Sequence, residues 1–188
     1  MASKDSAFLK WSEKYYLSRI LFIYYNLYIR NLKFFFKNSY SQFGEDRKII
    51  KLFKKNKKGL YLDIGCFHPV RQSNTYLMYK LGWKGINIDL NPLSIELFKV
   101  ARPYDINICT AISNTNSTET AYIDHSLSSL NTINKEHTNF LKKAFGLINL
   151  KTKKIKTTTL TKLLKKIKIK KIDFMNIDVE GSELKILK

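Results

Sequence analysis

The 188-residue sequence predicts an α/β protein built on a doubly wound parallel sheet, and three features of the chain support this fold class. Short apolar runs recur, several of them end in an aspartate, and segments with helical spacing separate them. Strands of a parallel sheet are buried on both faces and therefore appear as apolar runs without alternation. Because parallel strands end at one edge, where open α/β sheets bind ligands, we expect the aspartates to converge there.

The amino-acid composition limits the classes of protein to which this chain can belong. It carries 34 lysines and arginines against 15 acids, a formal net charge of +19, and 44% of its residues are apolar. This apolar content is sufficient for one domain with a buried core, which excludes general disorder. The positive charge favours RNA, anionic lipid or phosphorylated ligands. Because lysines far outnumber arginines, and specific phosphate sites tend to use arginine, a coding bias is an alternative explanation.

The cysteines and the N-terminus favour a cytoplasmic location, with membrane association left open. Cys66 and Cys109 lie in apolar, strand-like runs and are expected to be buried free thiols in a reducing compartment. No small-residue cleavage site follows the N-terminal apolar stretch, so we expect no signal peptide. No group of cysteines and histidines has zinc spacing, and we expect no metal.

Residues 1–39 are predicted to form a helical extension in front of a sheet domain, residues 40–188. The extension is dense in aromatic residues with basic residues among them. Its apolar core between Arg19 and Asn26 is too short to span about 30 Å of hydrocarbon. Two interpretations stay open. One is a helix packed on the domain or on a partner; the other is an interfacial helix that contacts an anionic membrane through residues 11–37.

Two adjacent acids, Glu45 and Asp46, precede a predicted helix over residues 47–55. Acids at a helix N-terminus compensate the helix dipole. In so basic a chain, a contact of Glu45 with a ligand is an equally weighted alternative. The lysine-rich residues 54–58 are predicted to be a solvated linker into the first strand.

The first strand is predicted over residues 60–64, with Asp63 at its carboxyl end. Gly65 follows at once, and a residue without a Cβ permits a close backbone approach by a ligand or an unusual φ. The next loop contains His68. It is a candidate catalytic base, although an ordinary loop histidine is the simpler interpretation.

A crossover helix over residues 74–81 leads to a second strand that ends in Asp89, and a helix over residues 93–101 follows. Asp89 is well placed to accept hydrogen bonds from the two ribose hydroxyls of a nucleoside. The Gly-x-Gly-x-x-Gly fingerprint of dinucleotide sites is absent. A cofactor with an adenosine but no phosphates, S-adenosylmethionine, therefore fits better, with a merely structural α/β unit as the alternative.

The third strand is predicted over residues 106–112, and the fourth over residues 171–178. Ser113 ends the third strand, where an adenine edge would lie, with a surface turn as the alternative. Asp178 ends the fourth strand, and Glu180 lies just beyond it. Both are candidate bases, and a carboxylate that serves the helix dipole is the alternative for Glu180.

Between these strands the chain alternates over residues 119–123 and 154–159, which predicts an antiparallel pair. A helix is predicted between them over residues 135–144. We interpret the whole as an insertion over the site that covers the substrate. It contains His125 and His137, each more typical of a surface histidine than of a base.

Four motifs in chain order carry a resemblance to a known family. They read Ser-Gln-x-Gly-Glu-Asp at 41–46, Tyr-x-Asp-Ile-Gly at 61–65, Gly-Trp-x-Gly-Ile-Asn-Ile-Asp-x-Asn-Pro at 82–92 and Ile-Asp-Phe-x-x-Ile-Asp-Val-Glu-Gly-Ser-Glu at 172–183. They resemble the FkbM family of S-adenosylmethionine-dependent methyltransferases. The resemblance implies a class I methyltransferase sheet, which is Rossmann-like, and usually O-methylation of a sugar or natural-product hydroxyl.

The resemblance also assigns residue roles. It places Asp63 and Gly65 at the methionine end of the cofactor, Asp89 at the ribose, and Asp178 with Glu180 at the reacting end. The candidate cofactor contacts are therefore Glu45, Asp63, Gly65, Asp89, Ser113 and Asp178. The candidate catalytic residues are Asp178, Glu180 and His68.

A complete class I sheet has seven strands, whereas this sequence offers four core strands. We therefore expect a sheet truncated after its fourth strand, with a bare edge, or a sheet that an oligomer or other partner completes. The expected substrate is a small molecule or a glycan, and nucleic acid is not favoured. The alternative function is a binding module without turnover that contacts a partner, a membrane or RNA.

Overall fold

The computed structural model describes residues 2–53, 58–146 and 150–187. Most of the predicted linker at residues 54–58 lies outside the described residues. The α-helices are α1 Ala2–Lys14, α2 Tyr16–Tyr24, α3 Glu45–Lys51, α4 Tyr76–Lys80, α5 Pro92–Ala101, α6 His137–Phe145, α7 Leu160–Lys166 and α8 Glu183–Ile186. A π-helix, Tyr25–Arg30, and a 3₁₀-helix, Leu32–Phe36, follow α2. The strands are β1 Leu60–Ile64, β2 Lys84–Asp89, β3 Ile106–Cys109, β4 Ala111–Ile112, β5 Thr118–Ile123, β6 Lys151–Thr158 and β7 Phe174–Ile177.

The central sheet has the order β3-β2-β1-β7, and every pair in it is parallel. The predicted parallel α/β architecture is thereby confirmed. In register, Ile64 of β1 lies beside Ile88 of β2 and Ile177 of β7, so the three strands end at the same edge. Among the described residues, β7 pairs with β1 on one side only.

Apolar side chains cover both faces of this sheet. On one face Leu62 and Ile64 pack with the apolar residues of α7 and α8. On the other face Tyr61 packs with Met78 of α4 and with Trp83. Because neighbouring residues of a strand point to opposite faces, a run such as Leu60–Ile64 must be largely apolar when helices cover both, and Asp63 is its one charged residue.

The strand predicted over residues 106–112 is wrong as a single element. β3 ends at Cys109, and β4 leaves the central sheet to pair in parallel with β6. The chain changes partners at Thr110, whose N–H still donates to the carbonyl of Asp89 at 2.9 Å. Because β3 is an edge strand, Cys109 is exposed, contrary to the expectation of a buried thiol, whereas Cys66 is buried.

The antiparallel pair of the insertion is confirmed. β5 and β6 run antiparallel with Thr118 opposite Lys156 and Ile123 opposite Lys151. Together with β4 they form a second, three-stranded sheet in the order β4-β6-β5. The predicted helix is α6, and Gly146 follows it in the left-handed conformation that commonly ends helices.

The N-terminal helices pack on the domain, as the simpler interpretation expected. Phe22 and Leu27 are fully buried against Leu93 and other apolar residues of α5. The guanidinium of Arg19 donates to both carboxylate oxygens of Glu96 on α5, at 2.6 and 3.0 Å. The division into residues 1–39 and 40–188 as separate units stays a prediction. None of the helices in the described parts of the chain is long and apolar enough to cross a membrane.

Candidate functional site

A cleft lies at the carboxyl ends of β1, β2 and β7, where the sequence predicted a ligand site. The first strand contributes Asp63 and Gly65, the second contributes Asp89, and the segment after β7 contributes Asp178 and Glu180. Other parts of the lining are Gln42, Phe67, Asn74, Asn176 and, from the insertion, Ser128, Ser129, Asn131 and Ile133. The predicted convergence of three strand-end aspartates is therefore present, and the insertion contributes one wall.

Gly65 is required at the turn after β1 for two reasons. Its φ is +79°, a conformation that side chains with a Cβ rarely adopt. A Cβ at this position would also overlap the backbone carbonyl of Asp178. The predicted unusual φ is present, and the close approach is made by the chain's own backbone after β7. Gly65 thus sets the distance between β1 and the end of β7.

Asp63 connects three elements beneath the cleft. Its carboxylate accepts hydrogen bonds from Thr75 Oγ1 at 2.6 Å and from Asn176 Nδ2 at 2.9 Å. Asn74 Nδ2 in turn donates to Asn176 Oδ1 at 3.1 Å. Burial raises the pKa of Asp63, against the opposing effect of these two hydrogen bonds. The side chain therefore fixes α4 and β7 relative to β1.

Asp89 orders the loop after β1, and its carboxylate can still accept hydrogen bonds from a ligand. One carboxylate oxygen accepts from the N–H of Phe67 at 2.9 Å, and the other accepts from the N–H of Asn91 at 2.7 Å. Each oxygen of an ionised carboxylate accepts about two hydrogen bonds, so both retain one free lone pair. Burial raises the pKa of Asp89 to about 6. The side chain can thus accept from two neighbouring hydroxyls while it orders the loop.

Asp178 and Glu180 form an acidic group at the end of β7. The N–H of Asp178 donates to the carbonyl of Ile64 at 2.9 Å, which continues the pairing of β1 and β7. Burial raises the pKa of Asp178, and the nearby Glu183 acts in the same direction. Burial and the charge of Asp178 also raise the pKa of Glu180. Carboxylates with raised pKa values are stronger proton acceptors.

A histidine of the insertion lies against this acidic group. His137 Nε2 is 3.0 Å from Glu180 Oε2, and His137 is on α6. Thr132 Oγ1 donates to the backbone carbonyl of Glu180, whose φ is +52°. From the sequence, His137 was more typical of a surface histidine than of a base, and its partner Glu180 is distant in the chain. The structure brings it to the edge of the cleft.

His68, a predicted catalytic base, does not lie on the cleft. Its ring is buried, Nδ1 accepts from the N–H groups of Val70 and Arg71, and Nε2 lies 3.0 Å from Asn26 Oδ1. Burial and neighbouring arginines hold the pKa of His68 well below its usual range. The neutral ring connects the loop to the N-terminal segment and is not among the residues that line the cleft.

Two predicted cofactor contacts lie beside the cleft without lining it. Glu45 Oε2 accepts from the N–H of Phe43 at 2.8 Å, and Gln42 of the same motif lines the cleft instead. Ser113 is buried, and its N–H donates to the carbonyl of Thr158, one residue beyond the lining residue Ile112.

A buried arginine, for which the sequence pattern predicted no role, supports the site. Arg102 is fully buried and donates to the Pro69 carbonyl, Ser73 Oγ, Thr75 Oγ1 and Tyr61 Oη. Tyr61 Oη also donates to Asp105, which accepts from the N–H of Gly85 at 2.9 Å. An arginine at the end of an apolar helix, in a chain whose basic residues are mostly lysines, was the available signal.

Within the described ranges, no group of three or more histidine, cysteine or acidic side chains could hold a metal ion. The donor set of the cleft is carboxylate, amide and hydroxyl. This chemistry fits a neutral, hydroxyl-bearing nucleoside such as the adenosine of S-adenosylmethionine.

Comparison with known proteins agrees with this geometry. The family described as "Methyltransferase FkbM domain" matches residues 63–188, well over half of the chain. No curated protein matches the chain, and no solved structure matches it. The match begins at Asp63 and contains every cleft residue contributed by β1, β2, the insertion and β7. The chain belongs to the FkbM methyltransferase family.

Proposed function

We propose that the protein transfers a methyl group from S-adenosylmethionine to a hydroxyl group of a sugar or another small molecule. One observation carries the proposal: Asp89 lines the cleft with both carboxylate oxygens still able to accept a hydrogen bond. Family membership supports methyl transfer as the reaction class.

The cofactor half of the cleft is the part around β1 and β2. Asp89 accepts hydrogen bonds from the two ribose hydroxyls, in the position that acids after the second strand take in nucleotide-binding sheets. Asp63 and Gly65 shape the methionine end through the backbone they hold in place. When bound, S-adenosylmethionine supplies a methyl group activated by a positively charged sulfur.

The substrate half is the part between β7 and the insertion. Glu180 accepts the proton of the substrate hydroxyl, and the neighbouring charge of Asp178 raises its affinity for that proton. His137 and Thr132 hold Glu180 from the insertion side. Ser128 and Asn131 offer hydroxyl and amide groups that suit a polar substrate such as a sugar.

Calorimetric titration with S-adenosylmethionine tests the cofactor assignment. We expect Asp89→Ala to weaken binding by about tenfold to a hundredfold, because hydrogen bonds to a carboxylate are lost. Asp124→Ala is the matched control, since Asp124 is an acid of the insertion that does not line the cleft. Equal affinity of the unsubstituted protein and Asp89→Ala would remove the ribose assignment.

Transfer of a tritium-labelled methyl group to a panel of sugars and other hydroxyl compounds tests the reaction. Glu180→Gln should lower kcat by roughly a hundredfold to ten-thousandfold and leave the affinity for S-adenosylmethionine unchanged. A variant as active as the unsubstituted protein would exclude Glu180 as the base. Retained cofactor binding with no transfer to any hydroxyl compound would contradict the substrate class.

A further inference from the structure

The N-terminal segment presents a second face that the domain does not cover. The buried face of α2 packs on α5, as described above. On the opposite side Leu17, Leu21, Tyr24 and Tyr28, here called the outer stripe, are 44 to 69% exposed. Their spacing of four, three and four residues places them along one side of a helix. A helix that is buried on one face and apolar on the other has a second surface to bury.

Aromatic contacts extend the outer stripe from α2 into the π-helix and the 3₁₀-helix. The rings of Tyr24 and Tyr28 stack with centroids 5.9 Å apart, and those of Tyr28 and Phe35 stack at 6.1 Å. Ile29 and Phe36, in the π-helix and the 3₁₀-helix, are also largely exposed. Contiguous apolar surface of this kind marks an interaction site, whereas single exposed apolar residues do not.

Positive charge surrounds the outer stripe. Residues 14–44 contain five lysines and arginines and no acid, and one of the five, Arg19, is paired with Glu96 of α5. Lys14 Nζ lies 5.4 Å from the ring centroid of Tyr15, ahead of the outer stripe. Lys33 and Lys37 lie 5.6 and 4.6 Å from the ring centroid of Phe34, behind it. Cations therefore flank the apolar surface at both ends.

We propose that the outer stripe docks the protein on an anionic lipid surface. Leucines suit the boundary of the acyl chains, tyrosines suit the level of the headgroups, and lysines suit their negative charge. A second copy of the chain would bring the same positive charge to the contact, and this repulsion disfavours it. RNA bases stack on aromatic rings, whereas half of the outer stripe, Leu17 and Leu21, is aliphatic.

Sedimentation of the full chain with lipid vesicles tests the proposal. We expect binding to vesicles of phosphatidylcholine with phosphatidylserine and much weaker binding to vesicles of phosphatidylcholine alone. The double variant Leu17→Ser/Tyr24→Ser should lose about tenfold or more in affinity, because it removes apolar contact area. The matched control is Leu81→Ser/Tyr104→Ser, which changes the same residue types at other exposed positions and should bind as the unsubstituted chain does.

Circular dichroism and affinity for S-adenosylmethionine verify that both double variants are folded. Failure of the unsubstituted chain to bind anionic vesicles would overturn the proposal. So would equal losses in the two double variants, or equal binding to neutral and anionic vesicles. If vesicles are not bound, sedimentation velocity and a single-stranded RNA oligonucleotide distinguish a stripe-dependent dimer from a stripe-dependent RNA contact.

Discussion

At the scale of single residues, the cleft depends on a glycine position where a residue with a Cβ does not fit. Gly65 has a left-handed φ and faces the carbonyl of Asp178 without room for a Cβ. Gly44 has a similar φ of +85°, but nothing lies within 4 Å of the place its Cβ would take. The two glycines therefore separate the energetic cost of backbone conformation from that of the close approach.

Gly65→Ala and Gly44→Ala form a matched pair for urea denaturation. Gly44→Ala should lower the free energy of unfolding by about 1–2 kcal/mol, the cost of a left-handed alanine. Gly65→Ala should lower it by more than about 4 kcal/mol, because β1 and the end of β7 must also move apart. Similar losses in the two variants would show that the contact with Asp178 relaxes without cost.

We expect Asp89 to make cofactor binding sensitive to pH. Burial raises its pKa to about 6. Above that pH the carboxylate is ionised and, in the proposed complex, would accept from both ribose hydroxyls; below it, one oxygen would carry a proton and accept poorly. The affinity for S-adenosylmethionine should therefore fall as pH falls through about 6, as calorimetry on either side of that value would measure. Asp89→Asn, which does not titrate there, should show a flatter profile, and a flat profile of the unsubstituted protein would count against the assignment.

At the scale of elements, the loop between β1 and α4 is held from both sides. Arg102 donates to Pro69 and Ser73 of this loop, and His68 connects the loop to the N-terminal segment. The N–H of Phe67 in the same loop donates to Asp89. The loop is thus positioned by α5 and the N-terminal helices before any ligand arrives.

Replacement of Arg102 tests this support. Arg102→Leu should lower the free energy of unfolding by about 3–5 kcal/mol, because buried acceptors lose their partner. Arg102→Lys should not restore stability, since one ammonium group cannot reproduce the guanidinium fork. Arg47→Leu, at an exposed position, is the control, and urea denaturation is the measurement. Wild-type stability of Arg102→Lys would show that only the charge matters.

At the scale of the whole molecule, the N-terminal helices and the sheet share a buried interface. Phe22 lies in one apolar cluster with Leu93, Leu97 and Leu127. If the segment folds together with the domain, damage to this cluster will destabilise the sheet as well. The proposed division at residue 39 predicts instead that the two parts respond separately.

Phe22→Ala in a Trp11→Phe background distinguishes these outcomes, because Trp83 then reports on the sheet domain alone. For a shared core we expect the unfolding transition of Trp83 fluorescence to lose about 3–5 kcal/mol. Phe36→Ala, whose ring is 81% exposed, should leave the transition unchanged. An unshifted transition in Phe22→Ala would establish the N-terminal segment as a separate unit.

Local patterns in the sequence were sufficient for the sheet and for part of the site. Apolar runs that end in Asp63, Asp89 and Asp178 predicted both the strands and their common edge, because strand direction places those ends together. The direction of the His68 side chain was not predictable, since its partner Asn26 is distant in the chain, whereas Glu45 turns to the N–H of Phe43 in its own motif. Nor was the role of Asn176 predictable, since its partner Asp63 lies on another strand. The break of the third strand at Thr110 depends on β6, which is also distant in the chain.

Two hypotheses concern the whole molecule: a partner that pairs with the outer edge of β7, and a binding module without turnover. Among the described residues β7 has one neighbour, and pairing with a partner or an oligomer at its outer edge stays a prediction. The finding that the chain belongs to a methyltransferase family adds no support to a module without turnover.

The contact of Asp63 with Asn176 spans 113 residues of chain and has a consequence for biosynthesis. On the ribosome, β1 emerges long before β7, and until then Asp63 lacks its amide donor and Gly65 lacks the carbonyl it faces. A nascent chain with three strands therefore has an open edge and an unfinished rim, a state prone to aggregation. We expect translation of this protein to depend on chaperones until β7 has left the exit tunnel.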